Sequence, residues 1–285
     1  MAASLMQTMA VAEKLLDALK LAGLPVSGPG LDRRAEALKW FMALSRQMAK
    51  WMMGVHVINP DTGDSDLRQL IATVHKLARD AHLPDMPEVG VFESSEPNAF
   101  ATGPTKRRSL VAVSTGLLRR MSQKELEGVL AHEIAHISNG DMVTMTLIQG
   151  IVNAFVMFLA RILAFAFSGL GRGRDQGSSG SYFSYMMFVF LFEVIFMVLG
   201  SIVVCSFSRF REFRADRGGA DLAGNDKMVA ALESLQRMKE IRDPNMDKPS
   251  FQALKISTRK KTGLMTLFAT HPPLEERIAR LKRMA

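Results

Sequence analysis

Cysteine occurs once in the 285 residues, at Cys205. That excludes a disulfide framework and a metal site built on several thiolates. Tryptophan and tyrosine are scarce, at two each. No familiar nucleic-acid-binding motif is present. The formal charge is +8, but the basic residues cluster beside apolar runs, so no nucleic-acid partner is expected. The start lacks the charged-then-apolar layout of a cleavable signal peptide, and residues 1–60 hold no span-length apolar run. Charged residues make up 22% and apolar residues 48%. This balance excludes a disordered chain and leaves enough for a sizeable core. There is no internal repeat.

What is present is concentrated. Met142–Ala160 carries no charge; Arg161 interrupts, and a second uncharged run follows from Ile162 to Gly171. Gln176–Ser208 carries one charge, Glu193. A helix crosses the hydrocarbon core with about 20 apolar residues. Two spans are therefore expected, Met142–Ser168 and Tyr182–Phe207, joined by the polar, glycine-rich stretch 171–180. Long buried helices of a soluble protein are the alternative, although such helices rarely stay apolar all round. Arg119, Arg120 and Lys124 precede the hairpin, and Arg209, Arg211, Arg214 and Arg217 follow it. The excess of positive charge at its outer ends puts both flanks in the cytoplasm. Arg161 and Glu193 are costly inside a bilayer unless paired or snorkelling. Cys205 reads as a lipid-facing or packing residue.

Upstream, Ala12–Leu21 and Asp32–Met53 read as amphipathic helices around a Pro/Gly stretch. The second carries Trp40 and Trp51 against Arg33, Arg34, Lys39, Arg46 and Lys50. It suits a membrane interface or packing on the rest of the protein equally well.

Ser122-Gln-Lys-Glu125 is a capping box, and Gly140 is a natural helix stop. Between them, Val129-Leu-Ala-His-Glu-Ile-Ala-His136 puts His132 and His136 on one helical face, where they can bind one metal ion. Glu133 can serve as general base for water held there. The rest of this helix is apolar, so two histidines and a glutamate would be buried without purpose unless something pairs them. Past the second apolar run, Glu212 and Asp216 are also four apart. Glu212 can be the third ligand, leaving a coordination position open. Asp216 can accept a hydrogen bond from a ligand histidine and fix its tautomer.

The order His132-Glu-Ile-Ala-His136, apolar hairpin, Glu212-Phe-Arg-Ala-Asp216 resembles the HtpX-type membrane metalloproteases, relatives of the zinc-dependent CAAX prenyl proteases and the Oma-type proteases. Pro97-Asn-Ala-Phe-Ala-Thr-Gly103, Ser109-Leu-Val-Ala-Val-Ser-Thr-Gly116, Asn139-Gly-Asp-Met-Val-Thr-Met145 and Thr270-His-Pro-Pro-Leu274 add to the likeness, which runs from about residue 50 to the end. The resemblance implies a zinc endopeptidase of the bacterial inner membrane, multi-pass, with its active site facing the cytoplasm. Its implied substrates are misfolded or damaged membrane proteins. Family members usually begin with two transmembrane helices, and residues 1–50 depart from that pattern. By the same resemblance, His271 lies near the metal, where it can stabilise an oxyanion. Asn98, Ala99 and Phe100 lie on a strand at the cleft that can hold the substrate in extended form.

The expected fold is α+β, mainly α: a zincin-like domain with a small sheet, split by the hairpin. The domain takes residues 54–141 and 209–285, the hairpin 142–208, and residues 1–53 stand apart. Expected elements are a helix over Asp64–Leu83 and strands over Glu88–Phe92, Ala99–Thr102 and Leu110–Val113. Helices follow over Gln123–Ser138, Arg209–Ala223, Asp226–Ile241 and Pro273–Met284, with a connection over 243–262. His56, His75 and His82 have no partner at ligand spacing. The expected site is zinc on His132, His136 and Glu212, with Glu133 as base. A membrane-anchored zinc-binding, chaperone-like module without proteolysis is the alternative.

Overall fold

A computed structural model of the chain describes residues 50, 53–170, 178–241 and 263–284. The helix expected over Ala12–Leu21, nearly all of that over Asp32–Met53, and the connection over 243–262 lie outside the described residues, as do positions 171–177 of the hairpin turn.

Helix α1 (Ser65–Asp80) starts where the Asp64 side chain accepts from the amides of Asp66 and Leu67. It buries Leu70, Ile71, Val74, Leu77 and Ala78, one helical stripe. Strands β1 (His56–Val57), β2 (Glu88–Phe92), β3 (Ala99–Thr105) and β4 (Arg108–Ser114) form one sheet in the order β1-β2-β4-β3. β2 and β4 run parallel and the other pairs antiparallel, so β3 is an edge. One sheet face joins α1 in the main core through Val89, Val111 and Val113; the other packs Val55, Phe92, Leu110 and Ala112. The short β1 and a one-and-a-half-turn helix α2 (Thr115–Arg120), capped by Ser114, add to the expected elements.

Helix α3 (Gln123–Asn139) has the expected capping box, and it ends at Gly140 with φ 70°. The chain turns at once into α4 (Asp141–Leu170), which leads to α5 (Ser178–Ala223). Here the structure differs from the sequence reading. The second span and the helix expected over Arg209–Ala223 are one helix of 46 residues. No helix breaker stands between Phe207 and Arg209; what changes there is polarity. At 1.5 Å per residue α5 is about 69 Å long, twice a hydrocarbon core. Of the most apolar 18-residue stretch of α4 and of α5, only 11% is buried in the protein. Core helices of a soluble protein would be mostly buried, so both helices fit the membrane.

Among the described residues, helix α6 (Asn225–Ile241), a 3-10 turn (Gly263–Phe268) and α7 (Leu274–Lys282) follow. Glycines set the spacing around α3. A Cβ on Gly128 would stand 2.4 Å from the Lys227 carbonyl oxygen of α6. One on Gly219 would stand 3.1 Å from the His132 amide nitrogen. These close approaches carry α5 and α6 onto the face of α3 that holds the histidines.

Candidate active site

The His132 and His136 rings meet edge to face, with centroids 4.6 Å apart and the two Nε2 atoms 3.1 Å apart. Glu212 of α5 reaches between them. Its Oε2 lies 3.6 Å from His132 Nε2 and its Oε1 3.5 Å from His136 Nε2. The three residues are buried and offer ligand atoms that all lie within 4.8 Å of one another. Two imidazole nitrogens facing each other beside a buried carboxylate call for a proton or a cation between them. The set of two nitrogens and one oxygen suits a divalent transition metal. Both Nδ1 atoms face carboxylates, which aims the Nε2 lone pairs inward.

Charge follows from these contacts. Burial by itself lowers the His132 pKa, but Asp216 and Glu212 outweigh it and raise it to about 9. Burial pushes the Glu212 carboxyl up, yet hydrogen bonds from His132, His136 and His271 hold it far below the usual carboxylate range. Asp216 is likewise held low against burial, first by Arg277 and then by His132. The carboxylates stay ionised although buried, which makes the site receptive to a cation.

Asp216 Oδ1 lies 3.0 Å from His132 Nδ1. Arg277 of α7 grips Asp216 with two hydrogen bonds, Nε to Oδ2 at 2.7 Å and Nη2 to Oδ1 at 2.5 Å. Its Nη1 is also 3.4 Å from Glu212 Oε2. The sequence reading missed Arg277. The available signal was a cation at helical spacing between Leu274 and Leu281, on the buried face of α7. Asp141 and Arg214 were also missed as site residues. Asp141 is fully buried and its Oδ2 lies 2.6 Å from His136 Nδ1. An acid at the head of a span-length apolar run was the clue.

Glu133 Oε2 accepts a hydrogen bond of 2.9 Å from the Ala101 amide on the edge strand β3. Asn98, Ala99, Glu133 and His271 line a cavity of about 170 Å³ that also touches Glu212. Phe100 is not brought in: its ring turns to the opposite sheet face, 5.5 Å from Phe92. Only its backbone follows the edge. His271 is largely exposed, with Nδ1 3.1 Å from Glu212 Oε2. The turn before it is held by Arg209, whose Nη1 donates to the carbonyls of Thr266, Leu267 and Ala269. Cys205 packs against the same turn, its Sγ 3.4 Å from the Phe268 carbonyl oxygen. His75 and His82 bond the carbonyls of Pro87 and Asp80, away from the site.

A helical pair of histidines flanking a glutamate, a carboxylate from a second helix and two membrane-length helices together define a membrane metallopeptidase. Residues 64–285 match the family described as Peptidase family M48. The chain is 56% identical over 244 residues to a protease HtpX homolog of Bacillus pumilus, covering 85% of this chain and 79% of that one. It is 48% identical over 242 residues to protease HtpX of Shewanella oneidensis, covering 85% and 82%. The chain belongs to peptidase family M48. Its fold is similar to a crystal structure of Ste24p from S. mikatae (TM-score 0.54, 18% identity), over 86% of this chain and 57% of that one. At that identity the likeness is one of fold.

Proposed function

We propose that this membrane metallopeptidase is a zinc endopeptidase of the bacterial inner membrane, working at the cytoplasmic face on unfolded or misfolded membrane proteins. The observation that carries the reading is the convergence of His132, His136 and Glu212 beside Glu133, at the open edge of β3. His132, His136 and Glu212 hold the metal, and Asp216 orients His132. When bound, zinc supplies a Lewis acid to water and to the scissile carbonyl. Glu133 takes the proton from the attacking water and passes it to the departing amine. His271 donates a hydrogen bond to the carbonyl oxygen as negative charge develops on it. The outer edge of β3 at Ala99 takes the substrate as an added strand, while Asn98 and Phe100 on either side hold that edge to Ser114 and Ala112 of β4; this requires an extended and hence unfolded segment. The domain made of 54–141 and 209–285 sits against the bilayer on the hairpin 142–208. The arginines flanking the hairpin support the cytoplasmic orientation.

Reconstitution in vesicles with added zinc tests this. The chain should cleave an unfolded membrane protein, spare its folded form, and stop when a chelator is added. Equal cleavage of both forms would remove the proposed substrate class. Zinc-dependent binding of the unfolded protein without cleavage would favour the chaperone-like alternative.

A further inference from the structure

We infer that Asp141 and Arg214 form a positioning pair that makes the ligand geometry of His136 depend on how the two span helices lie against each other. This rests on the metal-site reading above. Asp141 is the first residue of α4, where the helix dipole favours a carboxylate. It is fully buried, so its charge needs partners on both oxygens. Oδ2 takes the His136 Nδ1 hydrogen at 2.6 Å, and Oδ1 takes Arg214 Nη2 at 2.5 Å. Arg214 Nη2 also lies 3.5 Å from the Asn139 carbonyl oxygen at the end of α3. One carboxylate thus ties α3, α4 and α5 together. With its Nδ1 hydrogen committed to Asp141, His136 must present the Nε2 lone pair to the site.

The two ligand histidines are supported differently. His132 leans on Asp216 and Arg277, from α5 and α7. His136 leans on Asp141 and Arg214, the head of one span helix and the extension of the other. A change in the separation of α4 and α5 therefore pulls directly on His136. That separation is set tightly within the apolar hairpin. A Cβ on Gly200 of α5 would stand 2.6 Å from Val152 Cγ1 of α4. Gly200 precedes Arg214 by about 21 Å of helix at 1.5 Å per residue. A larger residue there collides with Val152 and presses on α4 while touching none of the site residues.

Cobalt(II) titration of the full chain in nanodiscs, against a competing chelator, tests the pair. Visible absorption bands and metal-free thermal unfolding are recorded for each variant. Asp141→Asn should weaken cobalt binding about 10- to 100-fold and alter the bands. Arg214→Gln should do the same more weakly, and Arg214→Lys should restore most of the affinity. Gly200→Leu should weaken binding from a distance. Asp141→Asn and Arg214→Gln lowering only the metal-free unfolding temperature, with affinity and bands intact, would overturn the positioning role. Unchanged affinity in Gly200→Leu would overturn the dependence on helix apposition. If Asp141→Asn does not fold, the Arg214 and Gly200 variants decide the matter. His132→Ala binding cobalt as tightly as the intact chain would mean that the metal-site reading itself has failed, a result distinct from the others.

Discussion

The two halves of α5 bury opposite kinds of residue. From Tyr182 to Phe207 many large apolar side chains point outward; Phe183 and Phe190 are 72% and 70% exposed. From Ser208 to Ala223 Phe210 is still 60% exposed, but the carboxylates Glu212 and Asp216 are each 2% exposed. The backbone helix is continuous through both. Helix formation is indifferent to the surroundings; the position of each side chain is not. One half has apolar lipid for a solvent. The other has Arg277, His132, His136 and His271, which make an interior fit for charge. Ionisable groups occur in both halves, and what each variant costs should show how differently they are held.

The largest effect is expected at Glu133, which lines the same cavity as Glu212 of the charged half. Glu133→Gln keeps the shape and the Ala101 contact but removes the base. Peptide cleavage should fall about 10²- to 10⁴-fold while zinc content stays unchanged. Turnover of a quenched peptide, alongside metal analysis, checks both. Loss of zinc together with activity would mean that the residue acts in folding rather than in proton transfer.

Next is Arg277→Met, which leaves the buried Asp216 carboxylate without its bidentate partner. Breaking a buried pair from one side costs about 3–5 kcal/mol. Denaturant unfolding of the metal-free protein should show a loss of that order. A loss below about 1 kcal/mol would put Asp216 in contact with water and undo the contrast between the two halves.

The parts legible in the sequence were those whose evidence is local. The capping box at Ser122, the stop at Gly140, the four-residue spacing of His132 and His136, and the apolar runs are all carried by neighbours along the chain. Glu212 and Asp216 were legible because a hairpin must return the chain to the side it left. Arg277 was not, because it reaches Asp216 only after α7 docks through Ile278 and Leu281. Asp141 read as part of the motif Asn139-Gly-Asp but not as a partner of His136, since its approach depends on the tight turn at Gly140. Phe100 was placed at the cleft because a strand assignment does not say which face is which. Pairing of Phe100 with Ala112 sets that.

A smaller and graded effect is expected from pH. Without metal, His132 has a pKa of about 9 against an ordinary 6.5. Its stabilising contribution is complete below about pH 6.5 and is lost as the pH rises through 9. Glu212 and Asp216 work the other way: theirs is present above the ordinary 4.5 and 3.8 and lost as the pH falls through their depressed values. The metal needs neutral His132, so its apparent affinity should rise about tenfold per pH unit up to about 9. Chelator competition at several pH values measures this. Asp216→Asn removes one of the contacts that raise the pKa and should flatten the slope from a lower pH. A pH-independent affinity in the intact chain would mean that His132 holds no proton for the metal to displace.

The smallest effect is expected in the apolar half. Arg161 Nη1 lies 3.6 Å from Glu193 Oε1, and Arg161 also donates to the Met157 carbonyl at 2.9 Å. The two side chains are 54% and 38% exposed, against 8% and 3% for Arg277 and Asp216. Long charged side chains on the surface of a span can swing toward the interface when a partner is lost. A double-mutant cycle of Arg161→Leu and Glu193→Leu in nanodiscs should therefore give a coupling of about 0.6 kcal/mol, the size of an average side-chain hydrogen bond in a membrane protein. A coupling of 3 kcal/mol or more, about the cost of breaking a buried pair, would show that another surface covers these groups in the bilayer. The hairpin would then hold a second buried polar centre, and the contrast between the two halves of α5 would be one of neighbours alone.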